Sequence, residues 1–309
     1  MKNVKIDSLQ PLVVDVPNFQ RFMGRYYLTG LVTKPDSTGQ PCWAITLSDG
    51  SGDLKVFCNN SELMACNFQP NTLVHVEAVL QQKHGSAHYR CKNLVPVANT
   101  HTIGRDLSAL PRSLCPLPIA FDALIFLAGR IENPILRQFL RNVLLKPQIG
   151  VRYLQCPASL KYHHNFPGGL IHHSVEIAWD IFGVQDFRPI ERDIAVVAAL
   201  LHDIGKVYTL TPDMTRTAIG SLVDHNQLTL EICAEPLAEL DAAAPHIANQ
   251  LRHAWTCYSP GSRYGFKPKT RVANYLQKSD KSSSERKTGS WPVPDFGDVT
   301  DFLRTGTTN

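Results

Sequence analysis

The sequence has no Cys-x-x-Cys pair; its eight cysteines stand at 42, 58, 66, 91, 115, 156, 233 and 257 without a compact framework. That spacing argues against a small disulfide scaffold and a structural zinc module, and reads as reduced, mostly buried thiols of a cytoplasmic protein. No stretch approaches the roughly 20 uncharged apolar residues that span a bilayer. The start, Met1-Lys-Asn-Val-Lys-Ile-Asp, lacks the apolar core of a secretory signal. Membrane and secreted classes are therefore not expected. Charge of one sign is not in excess: a formal net charge of +4 over 309 residues predicts no partner by itself. With 43% hydrophobic and 19% charged residues, the chain has too much apolar material for disorder, and its length suits about two domains.

What the chain does have is uneven placement. Arg130, Arg137, Arg141, Lys146, Arg152 and Lys161 face only Glu132, and Lys267, Lys269, Arg271, Lys278, Lys281, Arg286 and Lys287 face Asp280 and Glu285. Such runs are either solvated faces or the footprint of a phosphate-rich ligand. Twelve histidines are many for the length, and five of them lie between 163 and 202.

Residues 20–100 alternate as short strands do, over Tyr26–Thr33, Cys42–Ser48, Asp53–Cys58, Leu73–Leu80 and His88–Val95, with Asp49-Gly-Ser-Gly52 as a hairpin turn and Gln81–Ala87 as another. About five strands in eighty residues suggest a small closed barrel of the OB type, since closure removes exposed sheet edges. Trp43 shares its face with Ile45 and Leu47 and is expected in the core. Lys55, Phe57, His75, His88, Arg90 and Lys92 fall on the outward parity, where an aromatic among basic groups can hold a single strand. From about residue 104 the period becomes helical: 121–128, 134–145 and segments near 169–183, 190–204, 218–234, 245–255 and 269–280. The expected organisation is multidomain: an all-β OB-type barrel over 1–103, an all-α helical bundle over 104–283 and a polar tail over 284–309, which includes Phe296 and Phe302.

Chemistry concentrates in the helical half. Gly168-Gly-Leu-Ile-His-His173 opens one helix, and Ala198-Ala-Leu-Leu-His-Asp-Ile-Gly-Lys206 closes the next, with Gly205 placed to stop it. Ionised carboxylates are rarely found at the end of an apolar run without a partner. Leu222, His225, Thr229 and Ile232 share a helical face, as do Val272, Leu276 and Asp280, and His253 sits late in an adjoining helix. Several helices thus deliver His or Asp toward one interior, as bundle metal sites do. Imidazole and carboxylate ligands without sulfur favour Mn²⁺, Fe²⁺, Co²⁺ or Mg²⁺. A cation on His173, His202, Asp203 and Asp280 would make bound water a nucleophile near neutral pH. A second, on Asp203 with His225 and His253, would stabilise a phosphate oxygen, and Lys206 would balance phosphate charge. His163 and His164 either line the substrate entrance or cap the turn.

Together, His163-His-Asn-Phe-Pro-Gly-Gly-Leu-Ile-His-His173, Leu200-Leu-His-Asp-Ile-Gly-Lys206, Gly220-Ser-Leu-Val-Asp-His225, Gly261-Ser with Lys267-Pro-Lys-Thr, and Asp280 resemble the HD-domain metal-dependent phosphohydrolases. An OB barrel ahead of such a domain resembles the YhaM-type 3′→5′ exoribonucleases, over about residues 20–283. The segment Pro157-Ala-Ser-Leu-Lys-Tyr-His-His through Gly-Gly-Leu also resembles the HD domain of MobH-class conjugative relaxases. The resemblance implies metal ligation by His173 in preference to His172, and by His202, Asp203 and Asp280, with His225 and His253 as further ligands. The YhaM-type pattern has His-His-Gly where this chain reads His253-Ala-Trp255. The expectation is a phosphodiesterase shortening single-stranded RNA or DNA from the 3′ end with one or two divalent ions, Mn²⁺ first. Asp203, His202 and Lys206 act at the reacting phosphate, and Lys267 and Lys269 serve with the barrel face as nucleic-acid contacts. The alternatives are a nucleotidase on small phosphate monoesters and a binding module of a mobile element that no longer cuts.

Overall fold

The computed structural model describes residues 5–83, 86–97, 107–146, 148–257 and 265–286. Phe296, Phe302, Lys287 and the Gly261-Ser segment lie outside them. The chain forms two compact units that divide between Leu114 and Cys115.

The first unit holds β1 (Lys5–Leu9), β2 (Phe19–Pro35), β3 (Pro41–Asp49), β4 (Gly52–Cys58), a short α1 (Ser61–Met64), β5 (Thr72–Lys83) and β6 (Ser86–Pro96). The sheet order β1-β2-β3-β4-β6-β5 closes on itself through a β2–β5 pairing. Counted from β2, that is a five-stranded Greek-key barrel with a helix after its third strand, the OB topology. The β4–β6 pair is parallel and the other barrel pairs are antiparallel.

Alternation decides what fills the barrel: Phe22, Tyr26, Leu28, Ile45, Leu47, Val56, Val74, Val76 and Ala78 are essentially fully buried. Trp43 is in the core as expected, edge-on to Phe68 at 5.9 Å. The buried phenols keep partners: Tyr26 donates to Pro11 O at 2.6 Å, and Tyr89 reaches Val16 O and Phe19 O. β1 was not foreseen. It adds in parallel to β2 through its backbone, a pairing that leaves little pattern in five residues. The 3₁₀ turns Leu107–Ala109 and Arg112–Leu114 belong to this unit, so it runs past the expected boundary at 103.

The second unit is helical: α2 (Pro118–Gly129), α3 (Pro134–Leu144), α4 (Ile149–Gln155), α5 (Gly169–Phe182), α6 (Pro189–Leu201), α7 (Lys206–Thr209), α8 (His225–Ala243), α9 (Pro245–Thr256) and α10 (Arg271–Glu285). α6 is its apolar axis, with Ile194 through Leu201 buried. None of the helices among the described residues is long and apolar enough to cross a membrane.

Three expectations change here. α8 begins at His225, because the Asp224 side chain accepts from Asn226 N at 2.9 Å and caps it. Leu222 therefore stands outside the helix, 87% exposed, rather than on a shared face. Gly205 does not end α6. It has ordinary helical φ, and a Cβ there would lie 1.9 Å from His225 O, so the missing side chain is what lets α8 approach. Its N–H donates to Thr229 Oγ1 at 3.0 Å. Gly205→Ala is expected to cost about 1–3 kcal/mol by overpacking and to displace His225; a thermal melt together with metal titration measures both. Finally, α10 runs on to Glu285, so the start of the expected tail is helix.

Candidate metal centre

Each side chain of the site is placed by a local device. The loop before α5 folds back so that Ala158 N donates to His164 O at 3.2 Å. Gly169 opens α5 beneath it, at a position where a Cβ would lie 2.0 Å from that carbonyl oxygen. His164 itself takes φ +54°, uncommon for a residue with a side chain. His163 and His164 are thereby held with ring centres 5.2 and 5.1 Å from that of His173. α6 delivers His202 and Asp203 just past its last turn, and α10 carries Asp280, with Val272 and Leu276 of the same face buried.

The ligand atoms converge. His173 Nε2 lies 3.1 Å from Asp280 Oδ1 and 3.6 Å from Asp203 Oδ2. His202 Nε2 lies 3.3 Å from Asp203 Oδ2 and 3.9 Å from Asp280 Oδ1. Neighbouring ligands of one ion with bonds of about 2.1 Å stand about 3.0–3.5 Å apart, so the closer pairs, His173 with Asp280 and His202 with Asp203, have the spacing of ligands of one divalent cation.

Hydrogen bonding at the far side of each ring sharpens the match. His202 Nδ1 donates to Ala199 O at 2.8 Å, which turns Nε2 inward, buried and without a hydrogen-bond partner. Ser283 Oγ gives its one hydrogen to Glu176 Oε2 at 2.8 Å and so accepts from His173 Nδ1 at 3.1 Å, leaving Nε2 with its lone pair inward. Two ring nitrogens and two carboxylates facing one point suit a divalent cation, and His173, His202 and Asp280 each present a ligand atom within 4.8 Å of one another. Burial disfavours a charged His202 ring, yet Asp203 and Asp280 outweigh it and push its pKa up to about 9, so near neutral pH Nε2 holds a proton that a bound cation would displace. Burial also works against the Asp203 carboxylate, but His202, Lys206 and His225 hold it well below the usual range. Burial lowers His173 to about 4, keeping it neutral.

Asp203 has a second set of contacts. Its Oδ2 takes the Lys206 ammonium, and its Oδ1 lies 3.1 Å from His225 Nε2. His253 is not brought to this group. Its Nε2 accepts the Lys269 N–H at 2.9 Å near the start of α10, nine residues or about 13 Å along the helix from Asp280. Two residues on, Trp255 is core, with its indole N–H on Ala198 O at 3.0 Å and its ring stacked on Phe139.

Sequence reading missed the buried support behind the ligands. Glu176 Oε2 receives Ser283 and His164 Nε2, the latter at 3.0 Å, while Oε1 receives Arg286 NH1 at 2.8 Å. Arg286 also binds Asp180. Burial alone would raise the Glu176 carboxyl; His164, Arg286 and Ser283 instead bring it to about 2, from 4.5. A depressed carboxyl contributes stability above its ordinary range that is lost as pH falls through the folded value. The helical unit is thus expected to weaken progressively from about pH 4.5 towards 2, and Glu176→Gln is expected to flatten that decline in acid titrations of the melting temperature.

On the barrel, Phe57 pairs in register with Arg90, meets His88 edge-on at 5.7 Å and carries the Lys34 ammonium over its ring at 4.7 Å. Lys34 was not anticipated. Lys55 is exposed earlier on the same strand face, and Lys92 is exposed where β6 bulges against β5. His75 is apart from these, in register with Arg25 and Val95. In the helical unit Lys267 and Lys269 are exposed, and Lys269 Nζ sits 5.5 Å from the Phe266 ring centre. The earlier basic run is partly structural: Lys146 binds Ile232 O and Arg152 binds Leu210 O.

Residues 170–284 match the family model described as the HD domain. The match lies within the helical unit and spans α5 to α10. Among curated proteins the chain is similar to the 3′-5′ exoribonuclease YhaM of Bacillus licheniformis, 26% identical over 208 residues, 66% of this chain and 65% of that protein. It is also 24% identical to YhaM of Bacillus subtilis over 208 residues, 66% of this chain and 65% of that protein. With YhaM of Listeria innocua the identity is 24% over 252 residues, 79% of each chain. The match to the first of these spans 65% of the relative's length. Among solved structures, a replication protein A heterotrimer bound to ssDNA is 14% identical, with TM-score 0.24, over 30% of this chain and 83% of that one. The second OB-fold domain of replication protein A from Methanococcus maripaludis is 11% identical, with TM-score 0.21, over 30% of this chain and 91% of that one.

Proposed function

We propose that this protein is a metal-dependent phosphodiesterase that shortens single-stranded nucleic acid from its 3′ end. The observation that carries the reading is the convergence of His173 Nε2, His202 Nε2, Asp203 and Asp280, with both rings held through Nδ1 so that Nε2 faces inward. The relatives named as 3′-5′ exoribonucleases support the direction of cutting. In this reading those four residues hold one divalent ion, Mn²⁺ first among Mn²⁺, Mg²⁺, Fe²⁺ and Co²⁺, which supplies an activated water near neutral pH and neutralises the phosphate. Lys206 adds positive charge at the reacting phosphate. His225 adjoins Asp203 Oδ1 and serves an incoming phosphate oxygen or a second ion, while His253 stays with Lys269. The barrel face of Lys34, Lys55, Phe57, His88 and Arg90 holds the upstream strand by stacking and phosphate pairing, with Lys92 at its edge and His75 outside it. Lys267 and Lys269 add a basic flank. Eight cysteines outside any disulfide, seven of them buried, suit a reducing compartment such as the cytoplasm.

A 5′-labelled oligonucleotide of about 20 nucleotides tests the reading. Stepwise loss from the 3′ end in Mn²⁺ is expected, and products that begin as internal cuts contradict it. Phe57→Ala is expected to weaken binding of long strands about five- to hundredfold, since one stacked base is worth about 1–3 kcal/mol, while leaving cleavage of a dinucleotide unchanged; fluorescence anisotropy reads the first and product chromatography the second.

A further inference from the structure

Three large apolar side chains are more than 70% exposed among the described residues: Leu222 at 87%, Tyr162 at 78% and Phe266 at 74%. The Lys269 ammonium lies 5.5 Å from the Phe266 ring centre. The other two adjoin residues of the site in the chain. Tyr162 immediately precedes His163, whose ring lies 5.2 Å from that of His173. Leu222 stands just ahead of His225, which touches Asp203.

Neither is loosely attached. Tyr162 N donates to Ser159 Oγ at 2.9 Å, and that hydroxyl donates to His163 O at 2.9 Å, so the backbone under the phenol is tied down. The turn bearing Leu222 is fastened by Gly220 N on Thr217 Oγ1 at 3.0 Å, by Arg216 on Gly220 O at 2.8 Å, and by Leu222 N on Ile219 O at 2.9 Å. Folding gains almost nothing from holding a tyrosine ring and a leucine in water on ordered turns, because their apolar area stays exposed. A ligand that covers them does gain.

We propose that Tyr162 is the stacking platform for the base of the substrate's 3′-terminal nucleotide. The inference rests on the exonuclease reading and adds to it how the terminal nucleotide is seated. With the scissile phosphate on the metal ligands, the attached base lies one sugar away, within reach of a side chain adjoining His163. An exonuclease advances one nucleotide at a time, so the seat must accept every base, and an aromatic face does so because all bases present a π-face. The exposed Lys161 ammonium, next in sequence to Tyr162, suits the adjoining phosphate.

Two measurements on the full chain test this. In the metal-stripped protein, a single strand ending in 2-aminopurine reports stacking by loss of fluorescence, without cleavage. In Mn²⁺, kcat and KM are compared for strands ending in a normal nucleotide and in an abasic one. Wild type and Tyr162→Phe are expected to quench the probe and to prefer the base-bearing end; Tyr162→Ala loses the quenching, with KM on that end raised about ten- to hundredfold and the abasic strand unaffected. If wild type shortens strands but Tyr162→Ala quenches and cuts as wild type does, the platform is refuted and the exonuclease stands. If wild type shortens no strand in any of the four metals, the exonuclease reading fails, and the platform with it.

Discussion

Asp203→Ala is expected to abolish metal binding and to reduce phosphodiester cleavage by at least about a thousandfold, because a bound cation's contribution to such a reaction is several kcal/mol. Asp203 is the residue on which the site turns. One carboxylate oxygen faces both histidine Nε2 atoms and Lys206, and the other faces His225. Without it, the repulsion that a cation relieves is gone, and so is most of the attraction. Lys206 also loses its carboxylate, so the variant must first be shown to fold. Asp203→Asn keeps the shape and removes the charge, and should leave the melting temperature closer to wild type while losing metal almost as completely. Metal content after dialysis, read beside a 5′-labelled cleavage assay, measures both effects in one preparation.

Glu176→Ala is expected to produce the second large effect, on stability as well as on metal affinity. The carboxylate receives His164, Ser283 and Arg286, and through Ser283 it sets which nitrogen of His173 faces the metal. Removing one partner from a buried charged network costs about 3–5 kcal/mol. For a unit of this size that is a fall of about 10 °C in melting temperature. Loss of support behind a ligating histidine typically weakens metal binding ten- to hundredfold. Titrating Mn²⁺ well below the melting temperature separates the two. A variant that melts early but binds metal as tightly as wild type shows that Glu176 stabilises the fold without orienting His173.

The parts legible in the sequence were those written in local pattern. Alternation in 20–100 marks the barrel strands because one face is buried and the other is not, and the apolar run of α6 followed by His202 and Asp203 marks the site because charge rarely follows such a run. Asp280 could be placed because Val272 and Leu276 repeat one helical face. What escaped depends on distant partners or on caps. Glu176 and Ser283 are separated by more than a hundred residues, and neither stands out in its own helix. Leu222 fits the periodicity of α8, but the Asp224 cap starts that helix at His225 and leaves Leu222 in water. Gly205 looks like a helix terminator, whereas its bare backbone is needed by α8. His253 has a ligand's residue type in a plausible place, yet the Lys269 N–H occupies its Nε2.

The central claim is that one divalent ion, held by His173, His202, Asp203 and Asp280, drives cleavage from the 3′ end. The most direct test titrates Mn²⁺ into chelator-stripped wild type and His202→Ala, following metal occupancy and shortening of 5′-labelled RNA and DNA of equal length in the same samples. The account predicts that shortening rises with occupancy of a single tight site in wild type, and that both are absent from the variant. Cleavage at full rate in the stripped protein, or in His202→Ala without bound metal, would contradict it.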